Sequence, residues 1–178
     1  VKGLKVYMNY SELKGRSIVD VNSAKGIGHL EDLVLQLDTR EIIGLRIKEG
    51  GLFSHTNAIS ISALQSVGKD ALTVQLPVEA TSTGKADSSK DTVLEKGPGL
   101  NSLINKQVVS QGGKLLGQIS DITLDPSNLT ITGYEVKEGG LLGKKHSLPE
   151  SPELTFGPEI VVIPDALAGQ FNKAEKNT

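Results

Sequence analysis

The phrase Lys48-Glu49-Gly50-Gly51-Leu52 returns 89 residues later as Lys137-Glu138-Gly139-Gly140-Leu141, and no other feature constrains the fold as strongly. Residues 28–52 slide onto 117–141 without a gap. Ten of the twenty-five positions are identical: Gly28, Asp32, Leu35, Ile42, Gly44, Lys48, Glu49, Gly50, Gly51 and Leu52. Unrelated sequences match at about one or two positions at ordinary residue frequencies. Substituted apolar positions keep their character, as in Leu30 to Ile119, Leu33 to Ile122 and Ile47 to Val136. The same shift pairs Ile59 with Leu148, Val67 with Phe156 and Gly68 with Gly157. A unit of this length is too large for a solenoid repeat and has the size of a small domain. The chain is therefore a tandem duplication: a first domain over 1–76, a polar linker over 77–98, a second domain over 99–165 and a tail over 166–178.

Each copy, at roughly 70 residues, can close a small core of its own. With one Met, no Trp, three Tyr and three Phe in 178 residues, that core must be built from Leu, Ile and Val. The absence of cysteine excludes disulfides, thiolate metal sites and a cysteine nucleophile. A formal charge of −2 gives no basic face for a phosphate backbone and argues against nucleic acid as a partner. No window approaches 18 apolar residues and no signal-peptide core opens the chain, so the expectation is a cytoplasmic protein with no transmembrane segment.

Short β-branched runs and regular turn signals, with almost no helical period, predict two small antiparallel barrels of about six strands each. Residues 1–10 alternate Leu4, Val6 and Met8 and read as an extended strand. Ser11 to Gly15 reads as a helical turn capped by Ser11 and ended by Gly15 at φ > 0. Leu33, Leu35 and Leu37 should share one strand face. Leu30 lies three residues before Leu33, so both reach the core only if the strand bulges near Asp32, and likewise near Asp121 in copy two. Turns are expected at 38–41 and 125–128, and again at 68–70 and 157–159. Most of 77–98 is too polar to join a core, although Val93 and Leu94 can dock locally. The tail should begin as one helical turn and fray beyond Phe171.

In order, and twice, these motifs resemble the PRC-barrel domain. They are Ser11-x-Leu13-x-Gly15, Gly28-x-Leu30-x-Asp32-Leu33-x-Leu35, Gly44-Leu45-x-Ile47 and Ile59-x-Ile61. Copy two carries Gly117-x-Ile119-x-Asp121-Ile122-x-Leu124 and Gly133-Tyr134-x-Val136. The family is known from the cytoplasmic part of the photosynthetic reaction-centre H subunit and from the C-terminal domain of the RimM ribosome-maturation factor. The resemblance implies a mostly antiparallel barrel in a prokaryotic protein. It also implies an adaptor role towards proteins or RNA–protein assemblies, with no shared catalytic residue.

The residues themselves point the same way. Asp32 and Asp121 sit at presumed bulges, where a carboxylate accepts freed backbone N–H groups. Lys48 and Glu49 face opposite sides of a strand and make no acid–base pair. Gly50-Gly51 and Gly139-Gly140 serve a turn with φ > 0, since no helix with Lys and Ser/Thr follows to form a phosphate loop. Gly28, Gly44, Gly117 and Gly133 complete the structural set. His29, His55 and His146 lack metal-ligand spacing and are expected on the surface. The segment after the glycines diverges between the copies, with Phe53 and His55 in one and Lys144, Lys145 and His146 in the other. These five are the candidate partner-binding residues. The expected function is a non-enzymatic protein–protein adaptor with no catalytic residue, metal or cofactor. Its two copies should pack with pseudo-twofold symmetry or pair their binding surfaces, and self-association is left open. The alternatives are a ribosome-assembly or RNA-processing factor, and a ligand carrier or enzyme with a pocket between the barrels.

Overall fold

The computed structural model describes residues 6–50, 56–77, 91–139 and 143–173. The first repeat begins with β1 (Met8–Asn9) and the single-turn α1 (Tyr10–Leu13), followed by β2 (Ser17–Asp20) and the long β3 (Lys25–Gln36). It continues through β4 (Glu41–Lys48), β5 (Thr56–Ser60), β6 (Leu64–Val67) and β7 (Ala71–Val74). After α2 (Asp91–Lys96), the second repeat supplies a 3-10 turn (Leu100–Ser102), β8 (Gln107–Ser110), β9 (Leu115–Asp125) and β10 (Thr130–Lys137). β11 (Lys145–Pro149), β12 (Thr155–Phe156), β13 (Ile160–Ile163) and α3 (Asp165–Lys173) complete it.

The strand orders are β5-β4-β3-β2-β7-β6 and β11-β10-β9-β8-β13-β12, so the two sheets have one plan. Both are mostly antiparallel, with one parallel pair each, β2 on β7 and β8 on β13. These pairs join the start of a repeat to its end, and the many residues between give the connection room to return in the same direction. The closing turns fall at Gly68 and Gly157, whose N–H groups donate to Ala71 O at 2.9 Å and Ile160 O at 2.8 Å.

β3 bulges at Glu31 and β9 at Ser120, beside the two repeated aspartates. The extra residue returns Leu30 and Leu33 to the same interior, where both are buried. Leu37 departs from its expected face and is 52 % exposed. β3 ends at Gln36, and a second register shift between Val34 and Leu35 has already changed the alternation. Gly15 ends its turn at φ +82°, with Asn105 at +68° in the other copy. Ser11 caps nothing, because the helix starts one residue earlier with Asn9 at its N-cap.

Gly28 and Gly117 have φ of +139° and +149° and press against the carbonyls of Lys48 and Lys137, so a Cβ has no room at either position. The glycine pair of the repeated phrase behaves differently from expectation. Neither Gly50 nor Gly139 has φ in the left-handed range, and no atom lies within 4 Å of a Cβ built on either. Gly51 and Gly140 fall outside the described residues.

Three segments exceed what their sequences promised. β1 pairs with β9 of the other repeat, Met8 opposite Leu124 and Asn9 opposite Thr123, while Val6 remains exposed. The end of the linker forms α2, and its Leu94 lies against Gly44. Arg46 holds this segment by donating to the carbonyls of Leu94 at 3.3 Å and Gly97 at 2.7 Å. The tail forms α3, a helix of nine residues rather than one turn, with Ala168 and Phe171 buried. Packing against a barrel supplies what helical propensity alone does not.

Candidate functional site

The repeats exchange their opening segments. β1 lies on β9, and reciprocally Gly99 bridges to Val34 while Leu35 N–H donates to Pro98 O at 2.8 Å. The duplicated aspartates sit at this crossing. Asp32 Oδ1 accepts from its own strand (Leu33 N, 2.8 Å), from the Tyr10 hydroxyl (2.6 Å) and from Asn101 N of the other repeat (3.2 Å). Arg46 Nη1 stands 3.8 Å from Asp32 Oδ2. Asp121 Oδ1 accepts from Ile122 N at 2.8 Å and from Ser11 N of the other repeat at 3.2 Å, and its Oδ2 accepts from the Ser11 hydroxyl. Each carboxylate therefore stitches a bulge in one repeat to the opening turn of the other. Burial, then the hydrogen bond to Asp32 and its charge, push the Tyr10 hydroxyl far above its ordinary value, so it serves as a donor. Buried apolar residues of both repeats form one contiguous cluster across this junction.

A second contact joins the β3–β4 turn to the other repeat. Arg40, in the left-handed region at φ +55°, donates from Nε to Glu150 at 2.6 Å and from Nη2 to Ser151 O at 3.0 Å. Its guanidinium lies 5.2 Å from the centre of the Phe156 ring. Glu150 also accepts the Tyr134 hydroxyl, whose proton is held by burial and then by that bond. Beside this group a cleft of about 580 Å³ opens between the repeats, with Ile42, Ile43, Ile61 and Ile131 in its wall.

The segment singled out for divergence is placed in part. Phe53 and His55 lie outside the described residues. Lys144 and Lys145 are exposed, and Lys145 Nζ is 2.9 Å from Glu135. Burial raises the Glu135 carboxyl, but hydrogen bonds from Ser120 and Lys145 outweigh it and leave the group below its usual range. His146 is not the surface residue expected. Its ring packs edge-on against Phe171 with centroids 4.9 Å apart, and its Nε2 is 2.8 Å from Glu138. Pairing of β4 with β5 and of β10 with β11 makes Asn57 its counterpart, rather than His55. His29 is exposed.

Sequence reasoning found the two aspartates but missed Tyr10, Ser11 and Asn101, which complete them, and the group of Arg40, Glu150 and Tyr134. Ser11 had a visible signal in the opening motif; Arg40 and Glu150 differ from their counterparts in the other repeat and had none. Among the described residues no three His, Asp or Glu side chains converge as a metal site, and no helix is long and apolar enough to cross a membrane.

No curated protein sequence matches the chain. The family model of the PRC-barrel domain matches it twice, over residues 5–80 and 99–170. Those spans hold the two sets of six strands that share one plan, and together they leave only most of the linker and the chain ends uncovered. The chain thus belongs to the PRC-barrel family, with two copies of the domain in tandem.

Proposed function

We propose that this tandem PRC-barrel protein is a cytoplasmic, non-enzymatic adaptor that binds another protein through its surface. The observation that carries the reading is the way its internal chemistry is consumed. Mostly aliphatic side chains, with Tyr10 and Tyr134, fill the core, and the repeated carboxylates are bonded to backbone N–H and hydroxyl donors of both repeats. A carboxylate saturated by fixed donors is a structural acceptor rather than an acid or base awaiting substrate. Recognition then belongs to exposed positions, of which Lys144 and Lys145, at the start of the outer strand β11, form a compact basic pair.

The carrier reading finds a volume in the cleft between the repeats. Its one guanidinium, that of Arg40, is already bonded to Glu150 and Ser151, which argues against a charged ligand. Affinity capture from a native lysate, with K144E/K145E as the comparison, tests the adaptor reading. A specific protein retained by the parent chain and lost by the variant is expected. Retention of ribosomal particles only at low salt would favour the RNA reading instead, and retention of nothing specific would overturn both.

A further inference from the structure

The two barrels end in equivalent mouths, and a helix covers that of the second. There a cavity of about 490 Å³ is lined by Lys114, Leu116, Gly117, Glu138, Gly139 and Phe171. The mouth of the first barrel, about 640 Å³, is lined by the counterparts of the first five: Lys25, Ile27, Gly28, Glu49 and Gly50. In the second repeat the chain leaves β13 and turns at once into α3. Asp165 Oδ1 accepts Gly112 N–H at 2.9 Å, and Phe171 reaches the ring of His146, which Glu138 holds at 2.8 Å.

Among the described residues, the first repeat keeps the seat without a cover. Asn57 stands where His146 does and donates to Glu49 Oε1 at 2.6 Å, just as His146 contacts the corresponding Glu138. The shift of 89 residues places Glu79 and Ser82 where Ala168 and Phe171 stand. Exposure follows this difference: Leu116, Gly117 and His146 are buried, whereas Ile27 and Gly28 are half-buried and Asn57 is exposed.

We infer that the mouth of the first barrel is a docking site for a short amphipathic helix of a partner protein. That helix carries a small residue and an aromatic one three positions later, the spacing of Ala168 and Phe171 on α3. The inference rests on the adaptor reading and gives it a surface and a partner chemistry. The occupant is argued from the duplication: the same strands, glycine and glutamate that seat such a helix in one repeat are present in the other, while the residues that would cover them from within the chain are polar. A second copy of this chain is the poorer occupant, because its α3 would have to leave its own barrel and expose Phe171.

The test is an NMR titration of the full isotope-labelled chain with a stapled peptide of residues 164–173, since an unconstrained ten-residue helix is marginal in water. Chemical-shift changes are expected at Ile27, Gly28 and Asn57. Binding should weaken about tenfold or more when the peptide carries Phe171→Ala, and likewise in N57K protein, where an exposed position gains a bulky charge. Changes confined to the second barrel would overturn the inference, because the peptide would merely compete with α3. So would the absence of change at either mouth. Concentration-dependent changes at Ile27 without peptide would identify a second copy as the occupant and overturn the partner assignment. A negative titration with a lysate partner still retained would remove this site and leave the adaptor reading standing.

Discussion

Asp32 and Asp121 are interchangeable in the sequence, but removing them should not cost the same. Asp32→Ala strands a buried Tyr10 hydroxyl and the Leu33 N–H, and takes the nearest carboxylate from the half-buried Arg46. Each orphaned buried donor costs about 1–3 kcal/mol, so with a guanidinium that keeps its carbonyl partners but loses this carboxylate the loss should be about 4–5 kcal/mol. Asp121→Ala strands the Ile122 N–H in the same way. Its other partner, Ser11, is exposed and can turn to water, which holds the loss to about 2 kcal/mol. For a chain of this size the difference of about 2–3 kcal/mol corresponds to about 5–10 °C in Tm. Urea and thermal unfolding of both variants, followed by circular dichroism, would measure it. A single transition is expected in each case, because β1 crosses into the second sheet and one apolar cluster spans both repeats. Equal losses would refute the assignment of Tyr10 and Arg46 to the Asp32 site. Two transitions, with only one displaced, would refute the coupling of the repeats.

Three further outcomes follow from the same geometry. Gly99→Ala should destabilise by about 2–4 kcal/mol in denaturant titration, since its Cβ would overlap the fixed Asp32 carboxylate, whereas Gly50→Ala, with open space around it, should change stability by less than about 1 kcal/mol. Phe171→Ala should cost about 2–3 kcal/mol and speed hydrogen exchange along α3, whose hold on the barrel rests on that buried ring. The Ser23 hydroxyl, then the Leu76 N–H, hold the Asp20 carboxyl below its ordinary value of 3.8. Its contribution is therefore complete above that pH and is lost as pH falls through the lower folded value. Asp20→Asn should lower Tm at neutral pH, and the two Tm curves should converge in acid.

The duplication, the strand-rich plan, the bulges and the hairpin turns were legible because each leaves a local mark. Leu30 and Leu33 are out of step in any regular strand, and that mismatch located both bulges. Gly28 and Gly117 were legible only as repeated structural glycines; that each presses against a carbonyl, of Lys48 or of Lys137, came from the tertiary structure. The parallel pairing of β2 with β7 had no local signal, because it joins segments at opposite ends of a repeat.

What the sequence alone determined is that two similar aliphatic barrels lie on one chain, since repetition and residue period are properties of neighbours along it. Only the tertiary structure decided that the barrels trade their opening turns, that a polar linker ends in a docked helix, and that His146 lies under Phe171. Those outcomes depend on which surfaces meet across about a hundred residues. A hydrogen bond such as Ser11 N to Asp121 contributes only when folding has already brought both repeats together.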